Sequence, residues 1–326
     1  MDNSTKERKL ALQGGRTLAY VTAGNPSSTT VLLCLHGTFA VGEASSVSRT
    51  LVSKDTHRIY PTLPGWGNTS PPLPSTSYVD CLMSDMTVLL DHLYPDRGRD
   101  IKLYVAGGSF GTVPAQILYG ASYDKFPYGR CIVGVLLMTA FAPFRYYEDY
   151  AKYMTWSNYL LIGPMSQWPL VRPMFAHLAT NVARKVSTVD NAEKFLQEFI
   201  FDKMDKAERE EYAQWRAREG IAVGEIETRF AKNIVRSVAT SWEGFKLTSS
   251  VLHADWGFRP DGLDEEHSRP SVMFVTNPGD KEAPQAWTEY LAACYKNVKV
   301  KTVGGSHIGT LLYMDEIWGE FLAEVK

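Results

Sequence analysis

Four short stretches of this chain are almost continuously apolar. They are Thr30–Leu35, Ile101–Ala106, Ile132–Met138 and Ser271–Thr276, and a further strand is expected over Val298–Val303. Runs of that length without polar alternation predict strands covered on both faces. Segments with apolar residues at helical spacing lie between or after them: Tyr78–Tyr94, Ala283–Tyr295 and Thr310–Val325. Strands alternating with helices predict a parallel sheet. Ahead of the first buried run, Leu10–Leu12 and Thr17–Val21 flank Gln13-Gly14-Gly15-Arg16, the pattern of a hairpin. A helix is expected over Glu43–Ser53 and a short strand over Arg58–Tyr60, followed by a glycine- and proline-rich loop from Pro61 to Pro72.

The alternation stops after Phe141-Ala142-Pro143. From 144 to 249 no convincing strand is visible, and charged and aromatic residues recur at helical spacing. Ala192–Arg218 carries Glu/Lys pairs suited to an exposed helix face. The expected organisation is an α/β core from 1–143 and 250–326, with a helical cap (lid) of 144–249 inserted into it. The fold class is α/β: a mostly parallel twisted sheet with helices on both faces.

Composition narrows the function classes. The 326 residues are 44% hydrophobic and 21% charged, with a formal net charge of −2. That balance gives no electrostatic reason to expect nucleic acid or an anionic membrane as partner. No apolar run approaches spanning length. The polar start, Met1 to Arg8, lacks the apolar region of a secretory signal. Of the four cysteines, Cys34 and Cys131 lie in or beside strand-like runs and read as buried thiols, and none forms a CxxC pair. A reducing, cytoplasmic setting is expected, with a small molecule as partner and no cofactor.

The chemistry concentrates at Gly107-Gly108-Ser109-Phe110-Gly111, a Gly-x-Ser-x-Gly directly after an apolar run and before a helical segment. A turn this sharp strains the serine backbone and excludes bulk two residues to either side. It leaves the hydroxyl at the sheet end beside a helix N-terminus. A serine hydroxyl needs a base, and the base an orienting acid. His307, in the glycine-rich loop after the last strand, supplies the base. Asp280, in the Asn277-Pro278-Gly279-Asp280 turn after the preceding strand, supplies the acid. Asp255 and the pair Glu148/Asp149 are competing acids in less suitable places. His253-x-Asp255 lacks a third ligand for a metal. An oxyanion is expected on the backbone N–H groups of Thr38 and Phe110. His36 is expected to brace its loop. Phe39, Tyr146, Tyr150, Tyr153 and Trp156 are candidate pocket residues, and Arg145 and Arg172 candidate carboxylate ligands, although aromatic residues at helical spacing more often serve packing.

Taken in order, His36-Gly37, Pro64-Gly65-Trp66-Gly67, the elbow at Ser109, the inserted cap, Asp280 and His307 make the chain resemble the α/β-hydrolase superfamily over nearly its whole length. The resemblance implies Ser109 as nucleophile, His307 as general base and then acid, and Asp280 as its orienter. Serine rather than aspartate at the elbow points to acyl chemistry on an ester, lactone or thioester of a small apolar or aromatic molecule. Carbon–carbon bond hydrolysis, acyl transfer, non-hydrolytic chemistry and ligand binding without turnover are the alternatives on the same fold. Phe39-Ala40 after Thr38 departs from the family's common His-Gly-x-Pro.

Overall fold

The computed structural model describes residues 6–44, 48–95, 100–169, 182–183 and 185–323. Eight strands form one sheet in the order β1-β2-β4-β3-β5-β6-β7-β8. They are β1 (Arg8–Ala11), β2 (Thr17–Gly24), β3 (Thr30–Leu35), β4 (His57–Pro61), β5 (Lys102–Gly108), β6 (Ile132–Met138), β7 (Ser271–Thr276) and β8 (Val298–Thr302). The β1–β2 hairpin is antiparallel, as is the β2–β4 pair, and every pairing from β4 onward is parallel. The residues of β3 explain its central place: Val31, Leu32 and Leu33 are wholly buried, so neither face meets solvent. The edge hairpin is fixed by an ion pair in which Arg16 donates from both terminal nitrogens to the two oxygens of the buried Asp85, each at 2.7 Å.

The helices of the sheet layer are α1 (Arg49–Val52), α2 (Tyr78–Leu93), α3 (Thr112–Gly120), α9 (Gln285–Cys294) and α10 (Met314–Ala323). Ser77 caps α2 by accepting from the Asp80 amide. The helix expected over Glu43–Ser53 is only α1 here, because Glu43 and Ala44 are not helical and 45–47 lie outside the described residues. The last helix begins later than its apolar spacing implies, since Gly309–Tyr313 is a 3-10 turn ahead of α10.

Between β6 and β7 the described elements are helical: α4 (Trp156–Leu161), α5 (Val189–Phe199), α6 (Lys206–Glu219), α7 (Glu225–Val238) and α8 (Glu243–His253). The single run expected over Ala192–Arg218 is two helices. Asp205 starts the second by accepting from the Glu208 amide, and Gly220 ends it in the left-handed region at φ 69°. The expected boundary at 249/250 falls inside α8, because Val251 and Leu252 continue its buried face. The two ends of the segment meet where the Phe144 amide donates to the Leu252 carbonyl at 3.1 Å. The Pro64–Gly67 loop lies against α8: the Gly244 amide donates to the Gly65 carbonyl, and a Cβ on Gly65 would come within 2.7 Å of the Gly244 nitrogen.

Candidate active site

The site is built at the carboxyl ends of β3, β5, β6 and β7 and in the loop after β8. Ser109 follows β5 with φ 53°. The reason lies in its neighbours. A Cβ on Gly107 would fall 2.2 Å from the Gly111 carbonyl oxygen, and one on Gly111 would fall 2.2 Å from the Leu35 oxygen. Strand and helix therefore approach as closely as backbone permits, and the serine absorbs the turn. The Ser109 amide donates to Thr139 Oγ1 at 3.2 Å, and its carbonyl accepts from Thr112 Oγ1 at 2.7 Å.

Ser109, His307 and Asp280 meet. His307 Nε2 lies 2.9 Å from Ser109 Oγ, and Nδ1 lies 2.8 Å from Asp280 Oδ2. The carboxylate fixes the tautomer: Nδ1–H donates to it, leaving the Nε2 lone pair to accept a hydrogen bond from the Ser109 hydroxyl. Asp280 is buried, and its other oxygen accepts from the Glu282 and Ala283 amides. Burial disfavours a charged His307. The hydrogen bond and charge of Asp280, with Glu282 behind it, outweigh that and hold the imidazole above its ordinary pKa.

His36 is not part of this chain of groups. The Leu63 amide donates to its Nε2 and its Nδ1–H donates to the Gly37 carbonyl, each at 2.8 Å, so both ring nitrogens brace loops. Burial lowers its pKa to about 4. The turn it holds brings Gly37 against Ser109, since a Cβ on the glycine would sit 3.4 Å from the serine Cβ. Thr38 and Phe110 flank Ser109 on the wall of the same cavity. Phe110 follows the serine at the head of a helix, where backbone amides lack intrahelical acceptors.

That cavity encloses about 1360 Å3. Its walls are mainly apolar and come from both the sheet layer and the inserted helices; besides Phe110, the rings of Phe39, Phe141, Phe195, Phe199, Phe230 and Phe245 line it. Phe39, itself at φ 54°, packs 5.1 Å from Phe245 and 6.4 Å from Phe195, ring centre to ring centre.

Four of the aromatic residues expected in the pocket do not line it. Tyr146 donates to Asp255 at the protein's outer surface. Tyr150 stacks on Phe144 at 4.4 Å, and its carbonyl accepts from Trp287. Tyr153 and Trp156 are 51% and 71% exposed. The dense aromatic run that suggested a pocket is instead a packing seam and an outer face. Of the rings that do line the cavity, Phe195 and Phe199 stand on α5, Phe230 on α7 and Phe245 on α8, while Phe39 and Phe141 follow β3 and β6, so they come from well-separated parts of the chain and form no single cluster in sequence.

The competing groups are elsewhere. Glu148 and Asp149 are exposed, Asp255 is held by Tyr146 and the Gly257 amide, and His253 Nε2 lies 2.9 Å from the Ile162 carbonyl. Arg145 reaches Asp255 at the surface. Arg172 lies outside the described residues. The four cysteines are free thiols. Among the described residues no cluster of metal-ligating side chains occurs, and no helix is long and apolar enough to cross a membrane.

A mostly parallel α/β sheet with a left-handed serine on its central turn, facing a histidine and a buried aspartate, defines a nucleophile-elbow α/β protein. The chain belongs to the alpha/beta hydrolase family, whose sequence pattern matches residues 32–323. Solved structures agree on the fold. A hydrolase from Pseudomonas aeruginosa PA01 aligns over 98% of this chain and 99% of its own at 16% identity, with a TM-score of 0.65. A carboxylesterase from Nitrososphaera gargenis aligns over 98% of each chain at 14% identity and a TM-score of 0.61. A thermophilic esterase from Thermogutta terrifontis aligns over 98% of this chain and 99% of its own at 15% identity and a TM-score of 0.58. Among curated proteins, no sequence match was found.

Proposed function

We propose that this protein is a serine hydrolase that cleaves an ester, or a chemically similar lactone or thioester, of a bulky apolar molecule. The observation that carries the reading is the hydrogen-bonded chain Ser109–His307–Asp280 opening onto a large apolar cavity. Ser109 Oγ attacks the carbonyl carbon while His307 Nε2 takes its proton, and the carbonyl π pair moves to oxygen. The resulting oxyanion sits against the Thr38 and Phe110 amides. Collapse breaks the bond to the leaving group, which takes the proton from His307. Water, deprotonated by the same nitrogen, then attacks the acyl-enzyme and regenerates Ser109.

The cavity supports the substrate class. Its volume exceeds the several hundred Å3 typical of small-ligand sites (about 300–1,000 Å3). Three of the four lysines on its wall stand next to acids: Lys185 by Glu198, Lys203 by Glu282 and Lys246 by Glu243, with Lys281 the fourth. An apolar acyl or alcohol group therefore suits it better than a sugar or a highly charged metabolite. The inserted helices supply much of its wall and act as the cap over the serine. Esterase relatives on the same fold lend weight to ester substrates. The test is labelling by a fluorophosphonate probe with peptide mapping, followed by a panel of esters, lactones and thioesters of increasing acyl length. Modification at Ser109 that requires His307, with turnover favouring the larger apolar acyl groups, supports the reading. A folded protein that neither labels nor turns over any of the panel overturns it.

A further inference from the structure

His307 stands in a loop with little to hold it. Gly304 and Gly305 precede it without side chains, and Gly305 takes φ 89°. Two ties bind this loop beside the imidazole. From the core, Asn277 Nδ2 donates to the Gly304 carbonyl at 2.9 Å. From the inserted helices, Glu208 of α6 accepts from both the Ser306 amide at 2.7 Å and the Ser306 hydroxyl at 2.8 Å, through one carboxylate oxygen. Glu208 is buried, so these charge-assisted bonds are shielded from water and short.

The sequence around Glu208 makes its use informative. Asp205-x-x-Glu208 is a capping-box spacing, in which the glutamate ordinarily turns back to the N-cap amide. Here Asp205 does its half, accepting from the Glu208 amide at 2.9 Å, while the glutamate side chain crosses to the loop of the histidine. The same face of α6 repeats the contact. Glu211 accepts from Tyr313 Oη at 2.6 Å, and Glu219 pairs with Arg49 at 2.8 Å. Positions 208, 211 and 219 share one side of a helix. A Cβ on Gly305 would stand 2.8 Å from the Glu208 oxygen, so glycine is what admits the carboxylate.

The geometry points to Glu208 as a positioning residue that, through Ser306, sets His307 in register with Ser109 and makes the assembled base depend on α6 being seated. Its effect on rate rests on Ser109 being the nucleophile; its effect on the imidazole does not. A displacement of the ring by about 1 Å costs on the order of 100-fold in such chemistry.

The experiment compares wild type, Glu208→Ala, Glu208→Gln and Ser306→Ala by two measurements: the rate of fluorophosphonate labelling at Ser109, and the downfield proton resonance of the His307 Nδ1–H held by Asp280. Glu208→Ala is expected to slow labelling by about 10- to 100-fold and to shift or broaden the resonance. Glu208→Gln, which still presents a carbonyl oxygen to Ser306, is expected to recover most of both. Should Glu208→Ala also unfold the protein, Ser306→Ala deletes only the hydroxyl half of the clasp and is expected to slow labelling several-fold. Wild-type labelling and an unshifted resonance in Glu208→Ala, or wild-type labelling in Ser306→Ala where the former does not fold, overturn the inference. A wild type that does not label overturns the nucleophile reading instead, and a resonance that moves in Glu208→Ala then still supports the clasp.

Discussion

Ser109 and Thr139 end neighbouring strands, both stand at positive φ (53° and 50°), and the amide of the first donates to the hydroxyl of the second. Thr139 in turn donates to the Met138 carbonyl at 2.7 Å. With Phe39 after β3, they are the non-glycine residues at positive φ among those described, and all three border the cavity. Backbone strain is thus gathered at the carboxyl ends of three neighbouring inner strands and held by the close-packed sheet beneath them. A non-glycine residue in this region costs about 1–3 kcal/mol.

That relationship separates stability from activity. Ser109→Gly relieves the strained φ and is expected to raise the unfolding free energy by about 1 kcal/mol, measured by urea titration, while abolishing turnover. A Gly variant that loses the 0.5–1 kcal/mol usual for glycine at an ordinary position would contradict the strain argument.

The glycines of the elbow behave oppositely. A methyl group on Gly111 would meet the Leu35 carbonyl oxygen at 2.2 Å, where only backbone can yield. Gly111→Ala is expected to cost more than about 2 kcal/mol and to lower the urea midpoint accordingly. An unchanged midpoint would mean that strand and helix can separate at the turn.

Removing the reacting groups tests the chemistry. Ser109→Ala and His307→Ala are each expected to lower kcat/KM by roughly 10⁴-fold or more, and the double variant by little beyond either single one, because the two act as a unit. Asp280→Asn keeps the shape but accepts poorly from Nδ1–H, and a loss of about the same order is expected. Ester turnover by purified variants at matched stability is the measurement. Independent, additive losses would count against one assembled triad.

Much of this was legible in the sequence. Continuous apolar runs announced β3, β5, β6 and β7 because burial on both faces leaves no polar position to confuse the pattern. Gly107, Ser109 and Gly111 announced the elbow because their spacing answers a steric demand within five residues. The pocket was not legible. Trp156 and Tyr153 drew attention as a cluster yet face outward, whereas Phe39, Phe195 and Phe245, far apart in the chain, close on one another. Glu208 was hidden for a related reason. Its local spacing satisfies a helix cap, and its real partner lies 98 residues away.

The outward and inward aromatics give a direct contrast. Trp156→Ala and Tyr153→Ala are expected to leave KM for an apolar ester within about twofold and stability within about 0.5 kcal/mol. Phe245→Ala or Phe195→Ala opens the cavity wall and is expected to cost about 1–3 kcal/mol of binding to the best substrates, while relatively favouring longer acyl chains. A KM series over acyl length reads both. If Trp156→Ala moved that series and Phe245→Ala did not, the cavity between sheet and inserted helices would not be the acyl site.

In the proposed mechanism the neutral imidazole is the base, and Asp280 with Glu282 holds the His307 pKa above its ordinary value against the effect of burial, with Lys203 acting the other way. Activity therefore falls as pH drops through that raised value, beginning at higher pH than for an ordinary histidine. The same raised pKa contributes stability that is fully present below the unfolded-state pKa and is lost as pH rises through the folded one. Stability and activity thus answer to one proton in opposite senses. Glu282→Gln removes a charge that favours the imidazolium, so the acid limb of kcat/KM is expected to move to lower pH. Lys203→Gln removes one that opposes it, so the limb is expected to move to higher pH. Glu282 accepts from Asn158 Nδ2 at 3.0 Å and lies 3.5 Å from Lys203. Loosening of the inserted helices would lower rates at every pH in both variants without displacing the limb. Opposite displacements in the two profiles identify His307 as the titrating base; a limb that stays in place in both assigns the acid loss to another group.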